Sequence, residues 1–181
     1  HGLVADKLGD PTARLAGRLT LNPIKHIDPF GSIILPLMMA LLPGGFIFGW
    51  AKPVPFNTNH LKNPERDGAL IALAGPLSNF LIATVFGVII RLGEVTAIPL
   101  VVQALPLFAA IVWINIILAV FNLVPIPPLD GSKVLFALLP RSANRLKMAL
   151  EQYGTILLLL FIFFGFSIIT PIMRLLYEFL V

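Results

Sequence analysis

Residues 69–90 read ALIALAGPLSNFLIATVFGVII, a stretch without a single charge, bounded by Asp67 and Arg91. About 20 consecutive apolar residues, wound as a helix, cross the hydrocarbon core of a bilayer. The stretch is therefore expected to span a membrane, and its small residues Ala72, Ala74 and Gly75 allow a second helix to approach closely. On the C-terminal side a short turn is expected over residues 91–96. A second apolar region then runs from 98 to about 123, with Pro99 and Pro106 near its start, and a third covers 156–172, between Glu151 and Arg174 and with Pro171 near its end. On the N-terminal side, residues 51–67 (AKPVPFNTNHLKNPERD) carry three prolines and six charged or histidine positions, the mark of a loop in which Pro53-Val54-Pro55 is forced to be extended. Residues 33–50 are uncharged, but Pro36, Pro43, Gly44, Gly45 and Gly49 interrupt them, which predicts a short or broken span. The first 32 residues are mixed and polar, a membrane flank in which Asp10-Pro11-Thr12 marks a helix start.

The composition agrees with this reading. Hydrophobic residues make up 57% of the 181 positions and charged ones 12%, against about 25% charged in soluble domains. The expected fold class is an all-α polytopic membrane protein, one domain over residues 1–181, with three to four transmembrane helices and residence in the cell membrane as a multi-pass protein. The net charge of +4 comes from 13 Lys and Arg spread over every polar segment. No basic stripe interleaved with aromatics appears, so nucleic acid is not an expected partner, whereas the lipid bilayer is. Alternate loops hold 6 and 7 of these cations, which leaves the orientation open. The absence of cysteine excludes disulfides and thiolate zinc sites. The chain begins with His1 rather than Met and shows no signal peptide, so it is expected to be cut from something longer.

The chemistry concentrates in Phe121-Asn122-Leu123-Val124-Pro125-Ile126-Pro127-Pro128-Leu129-Asp130-Gly131. Three prolines in four positions cannot continue a helix, and irregular backbone at membrane depth survives only where it is packed in protein or lines a wet cavity. A carboxylate beside such a loop calls for a cation, metal or proton partner. The plainer alternative is that the prolines end a span and Asp130 caps the short helix expected from Ser132 to about Leu139.

The motif resembles that of the site-2 protease family, intramembrane zinc metalloproteases in their prokaryotic form. The pattern Asn-x-x-Pro-x-Pro-x-Leu-Asp-Gly is matched by Asn122, Pro125, Pro127, Leu129, Asp130 and Gly131. Supporting segments are HGLVADKLGDPTA at the start, GRLTLNPIKHIDPFG at 17–31, GWAKPVPFN at 49–57 and AGPLSN at 74–79. The resemblance implies Zn2+ as cofactor, held by the two His of a His-Glu-x-x-His helix and by Asp130, with His1 matching the second His. The first His and the Glu would precede residue 1. The chain then supplies two of the three protein ligands that a catalytic zinc normally needs, and it is expected to be inactive by itself. The implied activity is endopeptidase cleavage in or near the transmembrane segments of membrane-protein substrates, known as regulated intramembrane proteolysis.

The resemblance also gives Asn122 a role as amide donor to the oxyanion, the alternative being an Asn that caps its span or bonds across helices. It likens residues 49–55 to an extended hairpin strand near the site, with Pro53, Val54 and Pro55 as substrate-binding residues held by edge-strand addition; the alternative is a proline-rich connector. Interhelical hydrogen bonds are expected for Asn79, Asn115 and Gln103. His26 and His60 read as solvated loop residues, with a local bonding role open for His26. Two rival functions remain at this point: a transporter whose broken span, Asn122 and Asp130 form a midplane site, and a non-catalytic relative that binds membrane proteins.

Overall fold

A computed structural model describes residues 1–20, 22–41, 49, 51–96 and 99–181. The chain divides into two compact units, His1–Pro64 and Glu65–Val181.

Among its described residues the first unit holds three short α-helices, α1 (Gly2–Lys7), α2 (Thr12–Leu15) and α3 (Leu35–Ala40). Helix α3 continues a wider turn over Pro29–Ile34, so that Pro29–Ala40 forms one apolar helical stretch. Its start is fixed by Asp28, whose Oδ1 accepts from the amides of Phe30 (3.1 Å) and Gly31 (2.7 Å), while the Asp28 amide donates to Ser32 Oγ (3.1 Å). Pro29 stands at the first helical position, where its missing N–H costs nothing. Twelve residues rise about 18 Å, short of a bilayer core. The rest of the broken span expected over 33–50 lies mainly outside the described residues.

The second unit is built from long helices. Helices α4 (Pro64–Thr96) and α5 (Pro99–Asn122) are followed by α6 (Asp130–Leu138) and α7 (Asn144–Leu160), which a wider turn at Phe161–Gly165 joins to α8 (Phe166–Leu180). Pro64–Thr96, Val101–Asn122 and Asn144–Leu180 are each long and apolar enough to cross a membrane. The all-α membrane fold is thus borne out, with two boundaries moved. Residues 91–96 continue α4 instead of forming a turn, and the charged stretch from Asn144 is the first part of the third long helix. Both shifts have one cause: a helix that leaves the apolar layer keeps its backbone hydrogen bonds, so charges mark the membrane border and not the helix end.

The core of this unit joins Ala83 and Ile90 of α4, Val112, Ile116 and Val120 of α5, and Ile169 and Met173 of α8. Trp113 meets Tyr177 edge-on with ring centroids 5.5 Å apart, fixing α5 against α8. A methyl group added at Gly87 would stand 2.8 Å from the Leu180 carbonyl oxygen, so glycine sets the spacing of α4 and α8 there. Most side chains of the three long helices face outward, as a lipid solvent allows.

Candidate metal centre and flanking segments

The proline-rich motif folds as a compact link between α5 and α6. The Val124 amide donates to the Phe121 carbonyl (3.1 Å), the Ile126 amide to Val124 (2.8 Å) and the Leu129 amide to Ile126 (2.9 Å). Val124 and Leu129 turn into the helix core. Ser132 closes the link by donating through both its amide (3.1 Å) and its buried hydroxyl (2.7 Å) to the Leu129 carbonyl. Gly131 lies directly against the backbone of Leu123 and Val124, where any β-carbon would overlap their carbonyl oxygens. The Leu-Asp-Gly sequence is therefore required sterically at its glycine, and that close approach seats Asp130 as the first residue of α6.

Asp130 is half-buried and lies outside the three long apolar helices. Burial raises its carboxyl above the ordinary carboxylate range, and the nearby Lys133 ammonium, one turn along α6, works against that rise. Asn122 is the last residue of α5, and its Nδ2 donates to the Leu118 carbonyl one turn back (2.9 Å). That is the span-ending bond weighed against an oxyanion role. Asn115 likewise bonds back within its own helix, to Ile111 (2.8 Å), in place of the interhelical bond expected for it.

His1 precedes α1 in the first unit. It lines a cavity of about 420 Å³ together with Gly2, Leu3, Arg18, Leu19, Thr20 and Val54. The cavity thus brings together one residue assigned to metal and one assigned to substrate. No strand occurs among the described residues, and the extended hairpin weighed for residues 49–55 is absent from them, with Trp50 lying outside that set. Pro53 and Pro55 lack the amide donors that a ladder uses. Instead, the Lys52 amide donates to the His26 carbonyl (3.0 Å) and the His26 Nε2 to the Thr20 carbonyl (2.9 Å).

Two buried charges hold this segment. Asp10 has no exposed surface; it accepts from the Thr12 amide (3.1 Å) and hydroxyl, the Asn57 amide (2.6 Å) and the His60 Nδ1 (2.9 Å). Burial pulls its pKa upward, but the bonds from Thr12, His60 and Asn57 outweigh it and hold the carboxyl well below the usual range. His60 is exposed as expected, yet it is tied to Asp10 and is not a free loop residue. Arg18, 7% exposed, donates to the carbonyls of Lys25, Lys52 (2.5 Å) and Pro53 (3.3 Å). Neither residue had a local sequence signal beyond the Asp-Pro-Thr helix start.

The description "Peptidase family M50" matches residues 95–164, which include the proline-rich link and Asp130. The chain is 40% identical over 164 residues to a Bacillus subtilis protein named "Putative zinc metalloprotease YwhC", covering 88% of this chain and 71% of that one. The chain belongs to peptidase family M50. The Rip2 protein of Mycobacterium tuberculosis strain H37Rv, described in the same words, is 31% identical over 88% of this chain and 59% of its own length. "Zinc metalloprotease MJ0392" of Methanocaldococcus jannaschii is 29% identical over 58% of this chain and 30% of its own length. The chain thus spans under two thirds of several relatives. No solved structure matches it significantly.

The family is one of peptidases, the relatives carry the name zinc metalloprotease, and the chain has, among its described residues, three helices long and apolar enough to cross a membrane. Asp130 offers a carboxylate, a donor type that zinc accepts; among the described residues no group of three or more His, Cys, Asp or Glu converges.

Proposed function

We propose that the chain is the membrane core of a multi-pass endopeptidase that hydrolyses peptide bonds in or near the transmembrane segments of other membrane proteins, in the cell membrane. The observation that carries this reading is the seat of Asp130. A carboxylate is held at a helix start, directly after an apolar span, by a link whose geometry tolerates only glycine behind it. Zinc bound with Asp130 among its ligands would polarise the scissile carbonyl and make its bound water acidic enough to act near neutral pH. The residues of this chain position that chemistry. Asp130 offers its carboxylate from the first turn of α6, and the Val54 segment borders the His1 cavity where an extended peptide could lie. Asn122, at the end of α5, would release its bond to Leu118 in order to donate to an oxyanion.

The test is Asp130→Ala in the protein expressed from its complete gene, with zinc measured by mass spectrometry and cleavage followed on a transmembrane reporter. Loss of both zinc and cleavage is expected. Full zinc content in the variant would remove Asp130 from the ligand set, and activity that survives chelation would remove the metalloprotease reading.

A further inference from the structure

Arg18 is a full positive charge, 93% withdrawn from solvent, and its recorded partners are backbone carbonyls only. Among the described residues no carboxylate pairs with it, and its Nε has no hydrogen-bond partner. A buried cation without a counter-ion is costly, and an apolar side chain of similar size would fill the same space more cheaply. What the guanidinium achieves that an apolar group could not is geometric. Its planar fork joins two segments distant in sequence, residue 25 on one side and residues 52 and 53 on the other.

The consequence falls on the next residue. Val54 lines the same cavity as His1 and Arg18, and its Cγ1 would stand 3.2 Å from a β-carbon at Gly2, so the segment runs close beside the start of α1. Beyond it, Asp10 accepts from the Asn57 amide and from His60, which fixes the other end of the same stretch. Residues 54–56 are thus strung between a buried cation and a buried anion. With their carbonyls engaged by Arg18, Lys52 and Pro53 are less available to pair with a peptide, and the part left to face the cavity is Val54.

We propose that Arg18 is a positioning residue, which sets the distance between the His1 end of α1 and the Pro53–Val54 backbone and so fixes the width of the channel offered to an extended substrate peptide. It touches neither metal nor reacting atoms. The catalytic part of this proposal rests on the protease reading above; the structural part does not.

The experiment uses the complete protein in detergent, with Arg18→Met and Arg18→Lys. The 181 residues contain no cysteine, so with any cysteine outside them replaced by serine, Leu3→Cys and Ala51→Cys can carry a pair of spin labels. In wild-type protein a narrow distance distribution between the labels is expected, and Arg18→Met should broaden it about twofold or more. Arg18→Lys, with one donor group in place of a fork, should fall between the two. For cleavage, KM should rise about tenfold in Arg18→Met with kcat and zinc content little changed, the pattern of lost binding without lost chemistry. An unchanged label distance in Arg18→Met overturns the proposal. So does a loss of kcat and zinc together at constant KM, which would make Arg18 a general support of the fold. If wild-type protein cleaves nothing, the protease reading fails and the label distance alone decides the role of Arg18.

Discussion

The two units solve the same problem, holding a residue in place, by opposite means. In His1–Pro64 the fixed points are charges taken out of water: Arg18 gathers backbone carbonyls from distant segments, and Asp10 gathers the Asn57 amide and the His60 ring beside the neighbouring Thr12. In Glu65–Val181 the fixed points are places where a side chain is missing, Gly87 against Leu180 and Gly131 against Leu123. The difference follows from what each unit has to work with. The first has short helices and many prolines, hence unsatisfied backbone groups that a charge can gather. The second has long helices with satisfied backbones, for which close contact is the remaining source of specificity.

The comparison can be broken most severely at Gly131. A branched side chain there would need the Leu123 and Val124 backbone to move, so Gly131→Val should cost more than the roughly 1–3 kcal/mol usual for overpacking. The expected outcome is loss of folded, monodisperse protein on size-exclusion chromatography in detergent. Recovery at wild-type yield would show that the link is not sterically closed.

A smaller effect belongs to the first unit. Asp10→Asn keeps the shape but removes the charge from four hydrogen bonds, and hydrogen bonds to charged groups contribute roughly 1.5–3 kcal/mol each in favourable cases. Limited proteolysis should then open residues 51–60 while the long helices stay protected. The same link should be sensitive to acid. Because the folded carboxyl titrates below its ordinary value of 3.8, its stabilisation is complete above that value and fades as pH falls from there toward the folded pKa. Protection that is constant from pH 7 to 5 and declines progressively below about 4 would fit, whereas a decline already complete at pH 5 would not. The smallest effect is expected for Lys147→Ala, which removes a 2.8 Å ion pair with Glu65, whose side chain is 63% exposed. Such pairs contribute about 0–1 kcal/mol, so the thermal midpoint should hardly move.

The spans were legible because apolar length is a local property. Residues 69–90 needed no partner to be read, and the only errors lay at ends, where Arg91 and Glu94 continue a helix that the charge pattern appeared to stop. Asp130 was legible as a site because the prolines beside it leave the backbone few options. The ligand roles proposed for Asp130 and His1 rest on the family motif alone. Arg18 was read as one more cation at a membrane flank. Its partners lie up to 35 positions away, and those of Asp10 up to 50, a pairing for which a single sequence carries no local sign. Asn115 shows the reverse error: an amide in an apolar helix calls for a partner, and the nearest one was its own backbone.

The stretch from Lys52 to His60 is short, rich in proline and tethered at both ends. An unrestrained loop gives up about 1–2 kcal/mol of backbone entropy for each residue ordered by a ligand. Here that loss has already been met during folding. Under the proposed function, a peptide held beside this segment would bear only the cost of its own straightening, so selection among substrates would turn on how readily each one uncoils.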